Sequence, residues 1–172
     1  MSEVRQVQVA NDRETATHRD DKLELRLWLR LLTCSSLIER NVRNALREKF
    51  DTTLPRFDLL AQLDRAPDGL TMSELSARMM VSNGNITGLT DRLVEEGLVK
   101  RTPSPRDRRS SHVSLTPAGK RAFDAMTPEH EIWIDTMMAG LGRQEMQQLF
   151  LLLGKLKSSV HQNARENEGE DS

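Results

Sequence analysis

Gly84 and Gly88 lie one helical turn apart in the run Ser82-Asn83-Gly84-Asn85-Ile86-Thr87-Gly88, with Arg92 one turn further on. Amide and hydroxyl groups such as those of Asn85 and Thr87 pair with base edges, and a guanidinium reaches phosphate or guanine. A glycine on an exposed helix face costs about 1 kcal/mol relative to alanine, so two on one face need a reason. Close approach of a bulky partner, such as the major groove of a duplex, is one; a tolerated pair of surface glycines is another. Gly-x-x-x-Gly also marks contacts between membrane helices, but Asn, Thr, Asp and Arg surround it here. A second cluster follows: Lys100, Arg101, Arg106, Arg108 and Arg109 stand against Asp107, a local net charge of +4 in a chain whose total is −1. Counterion release depends on the phosphates contacted and not on the overall charge, so a nearly neutral chain with concentrated cation can bind nucleic acid. A solvated turn would tolerate the same charge.

The elements that must hold these groups are legible from local chemistry. Thr71 and Glu74 have capping-box spacing, and Leu70 and Leu75 that of a hydrophobic staple, so a helix opens at Thr71. Leu75 and Met79 continue its inward stripe to Val81, and Ser82 supplies a second N-cap. Two short helices across so small a gap form a helix-turn-helix. On the second, spanning Ser82 to Glu96, Ile86, Leu89, Thr90 and Leu93 cluster within about 100°, the width of a buried stripe. Gly84, Asn85, Thr87, Gly88, Asp91 and Arg92 take the opposite side; Glu95 and Glu96 fall at the far end, away from phosphate. Gly97 is a C-cap. Leu98–Thr102 and His112–Leu115 then flank a proline-bounded charged tip, the pattern of a hairpin.

Two helical blocks frame this reader within a single domain. From a candidate cap at Asp20 to Phe50, Leu23, Leu27, Leu31, Cys34, Ile38, Val42 and Ala45 advance in steps of three and four, a helix of about 30 residues and about 45 Å. The second block opens at Thr116 with Pro117 at its first helical position. It is expected to bend or restart near Pro128, since proline removes a donor and crowds the preceding turn. Trp133, Met137 and Leu141 continue its apolar face, and a last helix from about Gly142 carries Met146, Leu149, Phe150, Leu153, Leu156 and Val160. Residues 1–20 are polar without helical periodicity, and 163–172 carry one Arg against four acids, so both are expected to be mobile tails. Hydrophobic residues make up 37% and charged residues 30%. No apolar run is long enough to span a membrane and no signal-peptide pattern starts the chain, which points to the cytoplasm.

In order and spacing these motifs resemble the multiple-antibiotic-resistance regulator (MarR) family over about Leu23 to Val160. The resemblance rests on the helix-turn-helix, Leu98-Val99-Lys100-Arg101, Asp107-Arg108-Arg109 and the exit Leu115-Thr116-Pro117-Ala118-Gly119. Upstream, Leu54-Pro55-Arg56-Phe57-Asp58-Leu59-Leu60 fits its second helix. It implies a mainly α fold: a winged helix-turn-helix over about 52–116 with a two-stranded β wing, and dimerisation helices over about 21–50 and 117–162. DNA contacts then fall to Ser82, Asn83, Gly84, Asn85, Thr87, Gly88, Arg92, Arg106, Asp107, Arg108 and Arg109, with Asp107 orienting Arg109 toward the minor groove or its phosphates. The long arms expose more apolar surface than a small module covers, so a homodimer on an inverted-repeat operator follows, its half-sites about 10 bp apart.

The resemblance further implies release from DNA by an anionic aromatic effector, a carboxylate or an acyl-CoA thioester, and repression as the default sign. Trp28, Arg40, Arg43, Arg47 and Phe57 are the candidates to hold it, although for any one arginine the spacing favours an ordinary solvated face, with Glu39 paired to Arg43. Two alternatives stand beside this regulator: a structural DNA-binding protein without a ligand, and a redox sensor through Cys34. One branch of the family senses oxidants with a first-helix cysteine aided by tyrosines, which this chain lacks, and Cys34 falls on the apolar stripe where a buried thiol is inert. His18, His112, His130 and His161 are scattered, and no nucleophile, base and orienting acid assemble into a known pattern. No metal, cofactor or enzyme activity is expected.

Overall fold

A computed structural model describes residues 22–103 and 111–170. The order is α1 (Leu23–Phe50), α2 (Leu54–Asp64), β1 (Leu70–Thr71), α3 (Met72–Met79), α4 (Asn83–Glu95), β2 (Val99–Pro103), β3 (Ser111–Leu115), α5 (Pro117–Met138) and α6 (Arg143–Glu170). Two compact units divide the chain between His130 and Glu131.

The first unit holds the reader. Leu46 from α1, Leu59, Leu60 and Leu63 from α2, Leu75 from α3, Ile86 and Leu93 from α4, and Val99 and Val113 from the sheet are almost fully buried. Phe57 closes this core from α2, its ring 5.5 Å from that of Phe123 and stacked at 4.7 Å on His130. Thr90 is buried in α4 without penalty, because its hydroxyl donates to the Ile86 carbonyl at 2.7 Å.

The expected wing hairpin is present, with Val99 opposite Leu115 and Pro103 opposite Ser111. The sheet it belongs to has a third strand. β1 adds to its other edge, Leu70 opposite Val113 and Thr71 opposite His112, giving the antiparallel order β1-β3-β2. Two residues are too few to show alternation, and their partners lie about 40 positions away, so local pattern does not announce this strand.

Helix starts follow their caps. Thr71 accepts from the Glu74 N–H at 3.2 Å while the Glu74 carboxylate accepts from the Thr71 N–H at 2.7 Å. The Thr71 N–H and the Thr71 hydroxyl, both donating to it, hold the Glu74 carboxyl below the usual carboxylate range. Ser82 caps α4 and Gly97 follows it at φ +72°. At α1 the expected cap is wrong: Lys22 takes that position, with no side-chain bond. Left-handed Asp51, φ 48°, ends the helix as expected after Phe50.

α5 runs through Pro128 without the restart that was one of the two outcomes expected there. Proline forfeits one N–H bond there, and Phe123 and Met126, buried just before it, keep the helix in place. Residues 163–170, expected as tail, continue α6; Ala164, Arg165 and Glu166 are good helix formers. The amino-terminal tail expected over 1–20 lies outside the described residues. The joint between sheet and α5 is tight. Thr116 donates to the Gly97 carbonyl at 2.7 Å and accepts from the Gly119 N–H at 3.0 Å. A Cβ on Gly119 would sit 1.9 Å from the Leu98 carbonyl oxygen, so only glycine fits.

Candidate nucleic-acid interface

The outer face of α4 is open. Ser82, Gly84, Asn85, Thr87, Gly88 and Arg92 are exposed, and Asn83 is the first residue of the helix. Nothing lies within 4 Å of a Cβ built on Gly84 or Gly88. The fold therefore has no use of its own for glycine at either position, unlike Gly119. Both positions face open space.

Two ion pairs fix how α4 is held. At its carboxyl end Arg56 of α2 grips Glu96 with both guanidinium nitrogens, one bond measuring 2.7 Å. The paired carboxylate sits below the usual range because of those hydrogen bonds, and the same bonds raise Arg56. Glu96 thus turns to α2, consistent with its expected place away from phosphate. Midway along the helix, Asp91 pairs with Arg101 of β2 at 2.6 Å, so the recognition face and the wing stem are tied directly. Arg101, counted among the wing cations, is thereby paired with a carboxylate of α4. Neither pair is visible in the sequence, since the partners lie 40 and 10 positions apart.

Arg106, Asp107, Arg108 and Arg109 lie outside the described residues. The strands that lead to them, β2 and β3, are in place, and β2 carries Lys100, Arg101 and Thr102 exposed.

A MarR-family profile matches residues 50–110. A MarR-family transcriptional regulator from Silicibacter pomeroyi is similar at 30% identity and a TM-score of 0.68, covering 80% of this chain and 94% of that one. YkoM of Bacillus subtilis (strain 168), an HTH-type transcriptional regulator, is 31% identical over 121 residues, 70% of this chain and 76% of its own length. A mutant of MarR from E. coli, solved in complex with operator DNA, matches at 27% identity and a TM-score of 0.69, covering 80% and 99% of the two chains.

The chain belongs to the MarR family. It is a DNA-binding transcriptional regulator with a winged helix-turn-helix.

The residues singled out as effector contacts of this MarR protein do not form one site within the chain. Arg40, Arg43 and Arg47 are exposed on α1, and Glu39 pairs with Arg43 as its spacing allowed. Trp28 is 57% exposed on the same helix, but twelve residues at a 1.5 Å rise put it about 18 Å from Arg40. One small ring cannot touch both. Phe57 is 6% exposed, its face already taken by His130. Cys34, expected to be buried, is exposed, because the amino-terminal half of α1 presents its apolar stripe outward: Leu23 is 67% and Leu27 51% exposed.

A feature missed in the sequence is an open cleft of about 430 Å³ between Pro55 of α2, Met79 and Val81, and the recognition face from Gly84 to Arg92. Met79, Val81 and Leu89 give it apolar lining, and Arg92 lines it as well. Periodicity marks Met79 and Leu89 as inward residues, but not the gap between their helices.

Proposed function

We propose that this protein is a ligand-responsive, sequence-specific repressor that binds an inverted-repeat operator as a homodimer and leaves it when an anionic aromatic effector binds. The observation that carries the reading is the slim, unoccupied face of α4, where two glycines with open space flank Asn85 and Thr87. The E. coli relative in complex with operator DNA supports the same use of the fold.

The DNA contacts divide by chemistry. Asn85, Thr87 and Arg92 reach base edges or phosphate from α4, and Ser82 and Asn83 present the helix amino end, where backbone N–H groups favour an anion. Arg106, Arg108 and Arg109 add phosphate contacts from the wing, with Asp107 orienting Arg109. Dimerisation falls to the arms: α1 exposes Leu23, Leu27 and Trp28, and α6 exposes Met146, Leu149, Phe150, Leu153, Leu156 and Val160 along one side. A helix with that much apolar surface needs a partner face.

For the effector two placements have support. Arg40 and Arg47 offer cations on α1, with the aromatic surface supplied from elsewhere. The cleft beside α4 offers apolar lining and Arg92 together. A ligand in the cleft would compete with DNA directly, whereas one at the arm would act by favouring a spacing of the two recognition helices that no longer matches successive grooves. A tenfold release needs about 1.4 kcal/mol of coupling in either case. The aromatic carboxylate or acyl-CoA chemistry rests on the family resemblance.

Selection of duplexes from a random pool tests the reading. A regulator enriches an inverted repeat by orders of magnitude over bulk sequence; equal affinity for all fragments would make it a structural DNA-binding protein. Aromatic acids and their CoA thioesters are then screened for release of the selected duplex. Retained release in Arg92→Ala but not in Arg40→Ala/Arg47→Ala places the effector on the arm. Deleting the gene should raise transcription from the promoter that carries the site.

A further inference from the structure

Among the described residues, four have a backbone in the left-handed region: Asp51, Gly69, Met80 and Gly97. Aspartate and glycine tolerate that conformation, whereas an unbranched apolar side chain brings its Cβ too close to the following carbonyl. Met80 adopts φ 53° at the end of α3, and the turn around it is pinned. Its N–H reaches the Ala77 carbonyl, the Val81 N–H reaches that of Ser76 at 3.2 Å, and the Ser76 hydroxyl donates back to the Val81 carbonyl at 2.6 Å. Glycine would satisfy every one of these bonds with less strain. Nor does the side chain contribute to the core: at 88% exposed it is the most open of the large apolar side chains among the described residues.

The fold thus bears a cost at Met80 and recovers nothing from it. Position indicates what does. Met80 precedes the N-cap of α4 by two residues, and its neighbours Met79 and Val81 line the cleft whose other wall is Gly84, Asn85 and Gly88. In a helix-turn-helix whose second helix enters the groove amino end first, this turn meets the groove's edge, where deoxyribose rings and thymine methyls offer apolar surface. Methionine suits that surface, being long, flexible and uncharged.

We propose that Met80 is a DNA-contacting residue of the operator interface, packing against the sugar edge and thymine methyls beside the bases read by α4. The inference rests on the DNA-binding reading and adds to it a contact that carries no charge. Strain at a functional position is retained because selection for binding outweighs its cost to stability.

The test uses the full-length protein, a labelled duplex selected by the wild type from a random pool, and fluorescence anisotropy at several salt concentrations. Met80→Gly should raise Tm by about 2–4 °C, since it relieves the backbone. It should also weaken operator binding by about fivefold, equivalent to about 1 kcal/mol. The salt slope should not change, because no phosphate contact is lost. Met80→Leu should stay within about twofold of the wild type, as apolar contact is preserved. Wild-type affinity in Met80→Gly overturns the inference, as does a Tm that fails to rise or a loss that tracks a change in dimer mass by light scattering. If the wild type selects no duplex at all, the DNA-binding reading itself fails; if it does and only the Met80 comparison is flat, that reading survives and this contact does not.

Discussion

Gly88→Leu separates folding from docking. The Cβ position is open to at least 4 Å and the residue lies in the middle of α4, away from its caps. Leucine is a far better helix former than glycine, so the variant should gain about 0.8 kcal/mol, raising Tm by about 2–3 °C for a chain of this size. In the proposed interface the added side chain occupies space that the duplex would fill. Forcing extra atoms into a packed contact costs about 1–3 kcal/mol, a loss of about 5- to 150-fold in operator affinity. Gly88→Ala calibrates the pair: it should capture most of the stability gain with a smaller loss of binding, because a single methyl projects little. Thermal unfolding and anisotropy on one preparation give both quantities. A leucine variant that is more stable and binds with wild-type affinity would refute the claim that this face meets DNA.

Other outcomes follow from the same surfaces. Arg109→Ala should weaken binding to all duplexes and lower the salt slope by about one ion, whereas Asn85→Ala should mainly relax base preference, as competition with operator variants will reveal. Phe150→Glu, at a side chain 78% exposed within the apolar stripe of α6, should yield monomers in light scattering while the far-UV spectrum stays helical; an intact dimer would show that this stripe is not the interface. Asp58 offers a pH readout. Burial and the neighbouring Glu39 charge raise its carboxyl above the ordinary 3.8, so the folded state binds its proton more tightly than the unfolded one. Stability is therefore lost as pH rises from 3.8 through the raised value, and the penalty persists at neutrality. Asp58→Asn should raise Tm at pH 7 by more than at about pH 4, just above the ordinary carboxylate value; an equal gain at both would mean that the carboxyl is not perturbed.

Much of the reader was legible because its signals are local. Thr71 and Glu74 announce a helix start three residues apart, Ser82 and Gly97 bracket the next helix, and the inward positions of α4 follow from one period. The buried Ile86, Thr90 and Leu93 bear this out. What escaped depends on residues distant in the chain. β1 exists only through β3, the Arg56–Glu96 grip spans 40 positions, and the cleft beside α4 is a gap between three elements. A restart at Pro128 is absent for a related reason: the intrinsic penalty of proline is local, while the packing of Phe123 and Met126 that offsets it is tertiary. Two of the effector candidates stand apart from the arginines of α1. Helix geometry alone separates Trp28 from Arg40, and Phe57, apolar in an otherwise suitable segment, is taken up by the core.

The seam where Gly119 lies against Leu98 has a mechanical consequence. With no side chain between them, and with Thr116 stitching both Gly97 and Gly119 to the same corner, the first turn of α5 and the root of the wing form one solid piece. A tilt introduced along that helix cannot be absorbed at the corner. It must shift the root of β2, and through Arg101 and Asp91 it also reaches α4, so strand and helix move together or not at all.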